Sequence, residues 1–387
     1  MRILLIYDCL YPNTVGGAEL WLRALAEGLG RDHEVVYVTR RQWDRAPEVE
    51  GFDVVSVSGG ELYTPSGRRR LLPAAAFGFG VFRHLARRRG DYDVVHCLSY
   101  PYLSVPAVRL ALIGRRGKPC VFVEWLECLS LAWWRDYAGR LGGRLGRAIQ
   151  GLCVRLTPAA FVFSDHTGAQ LRLAGFKGEL RKLPGLFAGT PVQGKDRDED
   201  LILFAGRHMP DKRPLAAVEA IAIARERRPG LHAVIVGDGP ERPRVLARIG
   251  ELGLNEAVRA PGFVERQELE NLLARSACVI APSLREGFGM AVVEAAAAGT
   301  PAVVCEAPDN AAAELIEPGV NGELAADRSP DAIAAAVLRV LDAGPALRES
   351  SAAWFERNRT RLSMDDSIAA VERTYRDSSR TASTNAS

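Results

Sequence analysis

Short apolar runs alternate with helical patterns along this chain, and this alternation constrains the fold more than any other feature. In the first half, a helical pattern at 18–30 is accompanied by runs typical of buried strands, at 2–7, 34–39, 53–57, 93–96, 120–124 and 160–163. Strands that are apolar throughout and separated by helices are typical of a parallel sheet with helices on both faces. The first half therefore predicts an α/β domain.

The same alternation starts again at residue 201. Strand-like runs at 201–204, 233–236, 258–260, 278–281 and 302–305 are separated by helical patterns at 214–228, 241–253, 266–275 and 290–298. A chain of 387 residues is long enough for two separate cores. We therefore predict two α/β domains, at 1–190 and 191–363, followed by a helix at 364–377. The charged stretch 194–200 is interpreted as a linker, and the small polar residues 378–387 as a disordered tail.

Composition and cysteine usage indicate an ordinary globular protein of a reducing compartment. The chain is 48% hydrophobic and 25% charged, and its seven cysteines include no Cys-x-x-Cys pair. An odd number of scattered cysteines favours free thiols over a disulfide framework or a zinc site. The opening run Met1–Ile6 reads directly as a strand without the features of a signal peptide, and no apolar run reaches the roughly 18 residues that a membrane-spanning helix needs. We therefore predict a cytoplasmic protein.

Charge is distributed unequally between the two halves. Residues 1–190 carry a formal charge of +9 and the remainder −6. Arginines at 68–70 and 87–89 flank an apolar run at 71–82, and Trp133, Trp134 and Tyr137 add aromatic residues to the same half. Such a pattern is typical of a peripheral contact with the inner face of a membrane or of a lipid-linked or anionic acceptor. The alternative is a solvated basic surface over an ordinarily packed helix.

The segment Arg285–Glu294 combines two carboxylates, eight residues apart, with a Gly-x-Gly loop that leads into an Ala-rich helix. Backbone N–H groups at a helix start bind anions, and Glu286 and Glu294 are placed to accept hydrogen bonds from sugar and ribose hydroxyls, respectively. This combination predicts a nucleotide-sugar site; the alternative is a capped helix with two surface acids. The loop residues assigned to the donor are Gly287, Phe288, Gly289 and Met290.

Two cations follow the strand at 201–204. Arg207 and Lys212 would lie at the carboxyl end of that strand, where ligands bind in open α/β sheets. A diphosphate leaving group gains negative charge as its bond to the sugar breaks, and fixed cations stabilise that charge without a metal ion. We therefore predict that Arg207 and Lys212 contact the diphosphate, with two ordinary surface cations as the alternative.

Two further turns at strand ends are candidates for donor binding. Gly237 and Gly239 resemble part of a dinucleotide fingerprint, but Arg242 stands where the third glycine belongs, so an NAD site is poorly supported. We interpret this turn as a tight strand-to-helix connection with a base or phosphate contact. Phe263 and Val264, after the next strand, could present backbone groups to the nucleobase.

The first half supplies three more candidates. Gly16 and Gly17 begin the first helix and would face a donor phosphate from the first domain, or simply form a helix entry. His96 ends a buried strand and would reach the transferred sugar or the acceptor, although a structural histidine is the alternative. No His, Cys or Asp cluster has metal-ligand spacing, and no Walker lysine loop or Gly-x-Ser-x-Gly is present. No metal, cofactor or nucleic-acid partner is predicted.

These motifs together resemble the retaining glycosyltransferases of family 4, which have the GT-B fold. The resemblance covers nearly the whole chain, and its most specific element is Glu286 and Glu294 with Arg207 and Lys212 upstream. It implies two Rossmann-like domains facing across a cleft, with the donor held by the C-terminal domain and the acceptor by the N-terminal one. It further implies that helix 364–377 crosses back to the N-terminal domain. A UDP-sugar is the commonest donor, transfer proceeds with retention, and no metal is required.

Within this resemblance His96, Arg207, Lys212 and Glu286 are the predicted catalytic residues. The sequence departs from the family pattern where Leu98 replaces the second histidine of a His-x-His pair, which concerns the acceptor side. Two other functions use the same architecture. One is a nucleotide-sugar epimerase, and the other is a protein that binds a nucleotide-sugar without catalysis.

Overall fold

The structure is a computed structural model that describes residues 1–45, 47–62, 64, 69–88, 90–114, 119–192 and 196–384. The described residues divide into two compact units. The first contains those within Met1–Thr64, Arg68–Leu186 and Ser363–Ser387, and the second contains Phe187–Leu362. The division after Leu186 comes four residues before the predicted boundary at 190.

The first unit contains a seven-stranded parallel sheet. Its strands, in the spatial order β3-β2-β1-β4-β5-β6-β7, are β1 (Arg2–Ile6), β2 (Glu34–Arg40), β3 (Asp53–Ser58), β4 (Val94–Leu98), β5 (Cys120–Glu124), β6 (Ala159–Val162) and β7 (Glu179–Lys182). The helices between them are α1 (Gly17–Leu29), α2 (Leu71–Arg87), α3 (Ser104–Ala111), α4 (Leu131–Leu156) and α5 (Asp165–Leu173). Residues of α2, α3, α4 and α5 form one hydrophobic core with the sheet.

The second unit contains a six-stranded parallel sheet and a short two-stranded one. In chain order its strands are β8 (Leu201–Ala205), β9 (His232–Val236), β10 (Val258–Gly262), β11 (Cys278–Ala281), β12 (Arg285–Glu286), β13 (Ala302–Cys305), β14 (Asp309–Asn310) and β15 (Gly322–Ala325). Its helices are α6 (Pro214–Arg227), α7 (Arg242–Glu251), α8 (Arg266–Arg275), α9 (Met290–Ala297), the 3₁₀-helix Ala311–Leu315 and α10 (Pro330–Leu362). The main sheet has the order β10-β9-β8-β11-β13-β15, and β12 pairs with β14.

In each main sheet, the direction in which successive strands are added reverses once. We call this point the change of direction. In the first unit the chain moves outward from β1 through β2 to β3 and then returns to β4 beside β1; in the second it moves from β8 to β10 and returns to β11 beside β8. Loops at the carboxyl ends of two such neighbouring strands diverge and leave a crevice. The strand pairs β1/β4 and β8/β11 are therefore the places where each unit is expected to bind a ligand.

The last helix, α11 (Met364–Thr384), belongs to the first unit and continues past the predicted end at 377. The prediction of a disordered tail from residue 378 is wrong for 378–384. Val371, Tyr375 and Ser379 are buried at four-residue intervals, so the side of the helix that faces the protein extends beyond 377. The Tyr375 ring lies 5.2 Å from that of Phe122 on β5, and Glu372 lies 3.0 Å from the ring of His33.

Most buried strands agree with the sequence prediction, and the differences have simple causes. β7 and β15 were not predicted because both are short and partly exposed edge strands. The predicted linker is also wrong for residues 196–200, which belong to the second unit, where the Asp198 N–H donates to the Arg275 carbonyl at 3.0 Å. Gly194 and Lys195 lie outside the described residues. None of the described helices is long and apolar enough to cross a membrane.

Candidate functional site

The two segments with the strongest sequence motifs lie at the same edge of the second sheet. The segment with Arg207 and Lys212 follows β8, and the loop with Glu286 and Gly289 follows β11. Because β8 and β11 are parallel neighbours, their carboxyl ends lie side by side at the change of direction. The candidate site is therefore built on two adjacent strand ends.

Lys212 and Glu286 form the centre of this site. Lys212 Nζ lies 2.7 Å from Glu286 Oε1 and 3.3 Å from the carbonyl oxygen of Arg285. Ser283 Oγ donates to the same glutamate oxygen at 2.8 Å, and Arg285 Nε lies 3.3 Å from Asp211 Oδ2. The ammonium and the carboxylate both remain partly accessible. The site thus presents a cation and an anion that are paired with each other and partly open to solvent.

The loop that follows Glu286 is held firmly in place. Glu286 pairs with Asn310 in the short sheet, and Asn310 Nδ2 donates to the Ser283 carbonyl at 3.0 Å. Gly289 caps α9 with φ +107°, and a Cβ at this position would lie 2.6 Å from the Cβ of Ala312. Only glycine fits this backbone without strain. The loop therefore fixes the direction of α9, whose first N–H groups have no partner within the helix.

Glu294, on the first turns of α9, forms an ion pair in this structure. Its Oε1 lies 3.0 Å from Arg266 Nη1, and Arg266 Nε lies 2.6 Å from Glu270 Oε1. Burial raises the pKa of the Glu294 carboxyl, while Arg266 acts in the opposite direction. Phe187 and Thr190 line the same small depression beside the pair. The carboxylate thus lies in a partly dehydrated recess next to a cation that the sequence analysis missed.

Arg207 is exposed, and within the described residues its side chain makes no hydrogen bond or ion pair. The next residue, His208, is fully buried, and its pKa is lowered chiefly by that burial. Gly237 and Gly239 both have positive φ; a Cβ on them would approach the carbonyl oxygens of Gly206 and His208 to 1.9 and 2.6 Å. These glycines therefore let the turn after β9 pack against the Arg207 segment. Their predicted contact with a base or phosphate stays a prediction.

The remaining donor candidates lie farther along the same edge or in the first unit. Phe263 is exposed and Val264 is partly buried, directly after β10. Gly16 precedes α1 in an extended conformation, Gly17 is the first residue of that helix, and a Cβ on Gly16 would lie 2.5 Å from a carboxylate oxygen of Glu19. Their roles toward a donor stay predictions.

His96 contradicts the expectation that it reaches a bound sugar. Its side chain is fully buried, Nε2 lies 3.2 Å from Glu124 Oε2, and Nδ1 is hydrogen-bonded to the Tyr375 hydroxyl. Trp21 Nε1 donates to the same oxygen of Glu124 at 2.8 Å. The cause is α11, because Tyr375 on this helix packs against His96 in the middle of β4. His96 acts here as a structural residue that joins β4, β5 and α11.

A polar cluster that no local sequence motif indicates lies beside the carboxyl ends of β1 and β4. Arg69 is paired with the fully buried Asp8, and its guanidinium lies 4.3 Å from the centre of the Tyr100 ring. Beside them the Tyr7 hydroxyl donates to Glu19 Oε1 at 3.0 Å. Asp8 follows β1 and Tyr100 follows β4, so strand position is the signal that could have identified them. Within the described ranges no group of three or more His, Cys, Asp and Glu side chains could hold a metal ion.

Comparison with known proteins gives consistent matches along the chain. The family model described as "Glycosyl transferase 4-like domain" matches residues 16–183, and the one described as "Glycosyl transferases group 1" matches residues 190–361. An uncharacterized glycosyltransferase of Methanocaldococcus jannaschii is 36% identical over 88% of this chain and 89% of its own length. A D-inositol 3-phosphate glycosyltransferase of Jonesia denitrificans is 33% identical over 94% and 93%. The match to an MMP alpha-(1->4)-mannosyltransferase of Mycolicibacterium hassiacum is 29% identical and spans 64% of that protein.

Solved structures share the fold at low sequence identity. Sucrose-phosphate synthase from Thermosynechococcus elongatus aligns with a TM-score of 0.78 at 19% identity, covering 97% of this chain and 98% of that one. Anabaena Alr3699/HepE in complex with UDP and glucose aligns with a TM-score of 0.73 at 18% identity, covering 97% and 99%. Together the fold and the matched families define a glycosyltransferase with two Rossmann-like α/β domains of the GT-B class. The chain belongs to glycosyltransferase family 4, which confirms the family resemblance and the fold class predicted from the sequence.

Proposed function

We propose that this glycosyltransferase moves a sugar from a nucleoside diphosphate-sugar, foremost a UDP-sugar, to an acceptor hydroxyl or amine. The proposed transfer retains the anomeric configuration and needs neither a metal ion nor a cofactor. The observation that carries the proposal is the ion pair of Lys212 and Glu286 beside the start of α9. A diphosphate and a sugar together offer what these groups need: an anion for the ammonium and hydroxyl donors for the carboxylate.

Each group has a distinct proposed role in the second unit. Lys212 and the exposed Arg207 bind the diphosphate, and the N–H groups of the Gly287–Met290 segment add uncharged donors. When Lys212 turns to the phosphate, the carboxylate of Glu286 becomes free to accept from sugar hydroxyls. Glu294, held by Arg266 at 3.0 Å, accepts from the ribose.

The proposed reaction takes place on one face of the sugar. The bond between the anomeric carbon and the diphosphate oxygen breaks, and the acceptor oxygen or nitrogen forms its bond to that carbon on the same side. The acceptor's proton passes to the departing phosphate oxygen, so no carboxylate below the anomeric carbon is required. Arg207 and Lys212 stabilise the negative charge that grows on the leaving group.

The proposed donor is inferred from similar structures, and the proposed acceptor from the charge of the first unit and from the names of relatives. The Anabaena Alr3699/HepE structures were determined with UDP, UDP and glucose, or UDP-glucose, which supports a UDP-sugar as the donor. The first unit is the basic half of the chain, and several relatives are named for a phosphorylated acceptor, D-inositol 3-phosphate. We propose an anionic small-molecule or lipid-linked acceptor, and a cytoplasmic enzyme that contacts the inner membrane face.

A thermal-shift screen of nucleoside diphosphates, followed by mass spectrometry with the matching nucleotide-sugars, tests the proposal. We expect UDP to raise the melting temperature and a glycosylated product to form in the presence of EDTA. NMR of the product's anomeric proton reports retention. Release of UDP only when acceptor is present excludes an epimerase, whereas binding without any turnover across candidate acceptors would indicate a non-catalytic protein. Absence of a UDP shift, or an inverted product, contradicts the respective part of the proposal.

A further inference from the structure

One surface of the first unit combines exposed leucines with arginines. It consists of the outer sides of α2, α3 and α4, whose inner sides pack into the same core on one face of the sheet. We call it the helical face. Its exposed large apolar residues are Leu71, Leu72, Phe79, Leu110, Leu141, Leu145 and Leu152, and the exposed Ile113 follows shortly after α3. Leu71 is 85% and Leu141 80% exposed, although the inner sides of their helices already supply the core.

The charges on this face have nearly one sign. Within their described bounds, α2 carries two arginines, α3 one and α4 five, whereas Asp136 is the single carboxylate on the three helices. On α4, Arg140 and Arg144 are exposed next to Leu141 and Leu145, so cation and leucine alternate on adjacent turns. Neither arginine pairs with a carboxylate among the described residues. Arg70 and Arg88 flank α2, and Arg70 Nη2 lies 2.9 Å from Glu61 Oε2. Arg68 and Arg89 lie outside the described residues.

We propose that the helical face binds the surface of an anionic lipid bilayer. Leucine and phenylalanine side chains on such a face enter the boundary between headgroups and acyl chains, while arginines extend to the lipid phosphates. Each arginine near an anionic leaflet contributes about 1 kcal/mol of attraction. The face meets both requirements, because apolar side chains and unpaired cations share the same helices.

Other occupants fit this surface less well. A second copy of the chain in a two-fold contact would bring the arginine-rich helices against each other, and like charges would repel. A nucleic acid would satisfy the arginines but leave Leu71, Leu141 and Leu145 in water, since these side chains can neither stack on bases nor bind phosphates. Of these three occupants, the lipid surface is the one that uses both the charge and the apolar area.

The proposal deepens the proposed function, because it specifies how the enzyme would reach a lipid-linked acceptor. Only the role of membrane binding in reaching a lipid-linked acceptor depends on the proposed function; the binding itself does not. The donor residues Lys212, Glu286 and Glu294 lie in the other unit, so binding to vesicles is measurable without donor or acceptor. Failure of one proposal is therefore distinguishable from failure of the other.

Vesicle co-sedimentation of the full chain tests the helical face. We expect binding to phosphatidylcholine vesicles only when phosphatidylglycerol is included, and weakening at high salt. Each lost arginine should reduce the partition coefficient about fivefold, so R140E/R144E should reduce it by roughly 25-fold or more. L141S/L145S should reduce it by about tenfold or more, because leucine insertion is lost. The matched control is R244E/L246S on α7, which alters one exposed arginine and one exposed leucine of the second unit and should change little.

All variants should retain the thermal shift with UDP, which shows that they fold and bind donor. Equal binding to neutral and anionic vesicles, or equal loss in the α7 control, would overturn the proposal. So would full vesicle binding by R140E/R144E. If size-exclusion chromatography showed a dimer that the α4 variants dissociate, or if RNA bound more tightly than vesicles, the helical face would belong to that other partner.

Discussion

The order of strands reverses in the same way in both sheets, but the side chains at the two reversal points differ in exposure. At β1/β4 the polar side chains are buried and lie against each other: Asp8 is paired with Arg69, and His96 Nε2 lies 3.2 Å from Glu124 Oε2. At β8/β11, Lys212 and Glu286 are also paired, but both remain partly accessible, and Arg207 is exposed. The same reversal of strand order therefore holds a closed structural network in one unit and an open site in the other. The difference arises from what covers the strand ends and not from the strands.

The largest expected effect is loss of a cation from the open site. Lys212→Ala and Arg207→Ala should each lower kcat by roughly 100- to 1,000-fold, because a fixed charge opposite the leaving diphosphate is lost. Steady-state UDP release in the presence of acceptor measures this. Arg227→Ala, an exposed arginine on α6, is the control and should retain activity. Near-normal turnover of the Lys212 variant would show that the open site at β8/β11 is not the catalytic site.

Gly289→Ala should destabilise the protein by about 2 to 4 kcal/mol, because alanine at φ +107° is strained and its Cβ meets Ala312. The UDP-induced thermal shift should decrease as well, since the start of α9 moves. Gly250→Ala, in the last turn of α7, provides a comparison in which a Cβ meets no atom within 4 Å. That control should be neutral or stabilising by about 0.5 kcal/mol. Chemical denaturation measures both, and a Gly289→Ala protein as stable as wild type contradicts a rigid loop.

Tyr375→Phe examines the closed network of the first unit. Loss of the buried hydroxyl bonded to His96 should lower the free energy of unfolding by about 1 to 2 kcal/mol. The UDP-induced shift should stay unchanged, because the donor site is elsewhere. Tyr11→Phe removes a less buried hydroxyl and should cost less than about 0.5 kcal/mol. If Tyr375→Phe lowered activity by more than its lower stability explains, His96 would again be a candidate catalytic residue.

The smallest effect concerns pH. Burial raises the pKa of Glu294, so its carboxyl takes up a proton at higher pH than an ordinary glutamate as the solution is acidified. A protonated carboxyl accepts ribose hydroxyls poorly, and affinity for a UDP-sugar should fall roughly five- to tenfold across that range. Arg266→Ala removes the opposing cation and should move the decrease to higher pH. Isothermal titration calorimetry tests this, and Glu294→Gln should abolish the pH dependence; a dependence that persists in Glu294→Gln assigns it to another group.

The sequence predicted what depends on local pattern and missed what depends on distant contacts. Buried strands such as β8 and β11 are continuous apolar runs, and the loop from Glu286 to Met290 carries its chemistry within a few residues. The pairing of Arg69 with Asp8, 61 residues earlier, leaves no local signal. The burial of His96 was missed for the same reason, because its hydrogen-bond partner Tyr375 is 279 residues away. The partner of Glu294 was missed because Arg266 lies on a different helix.

The position of α11 has a consequence for how the protein is made. This helix packs on α1 and β5, and its Tyr375 completes the network around His96 and Glu124. During the entire synthesis of the second unit, a nascent chain therefore lacks the helix that packs on α1 and β5. The N-terminal unit, translated first, can be finished only after translation has passed residue 375. Truncation before α11 should therefore destabilise the first unit, which is translated first, more than the second unit.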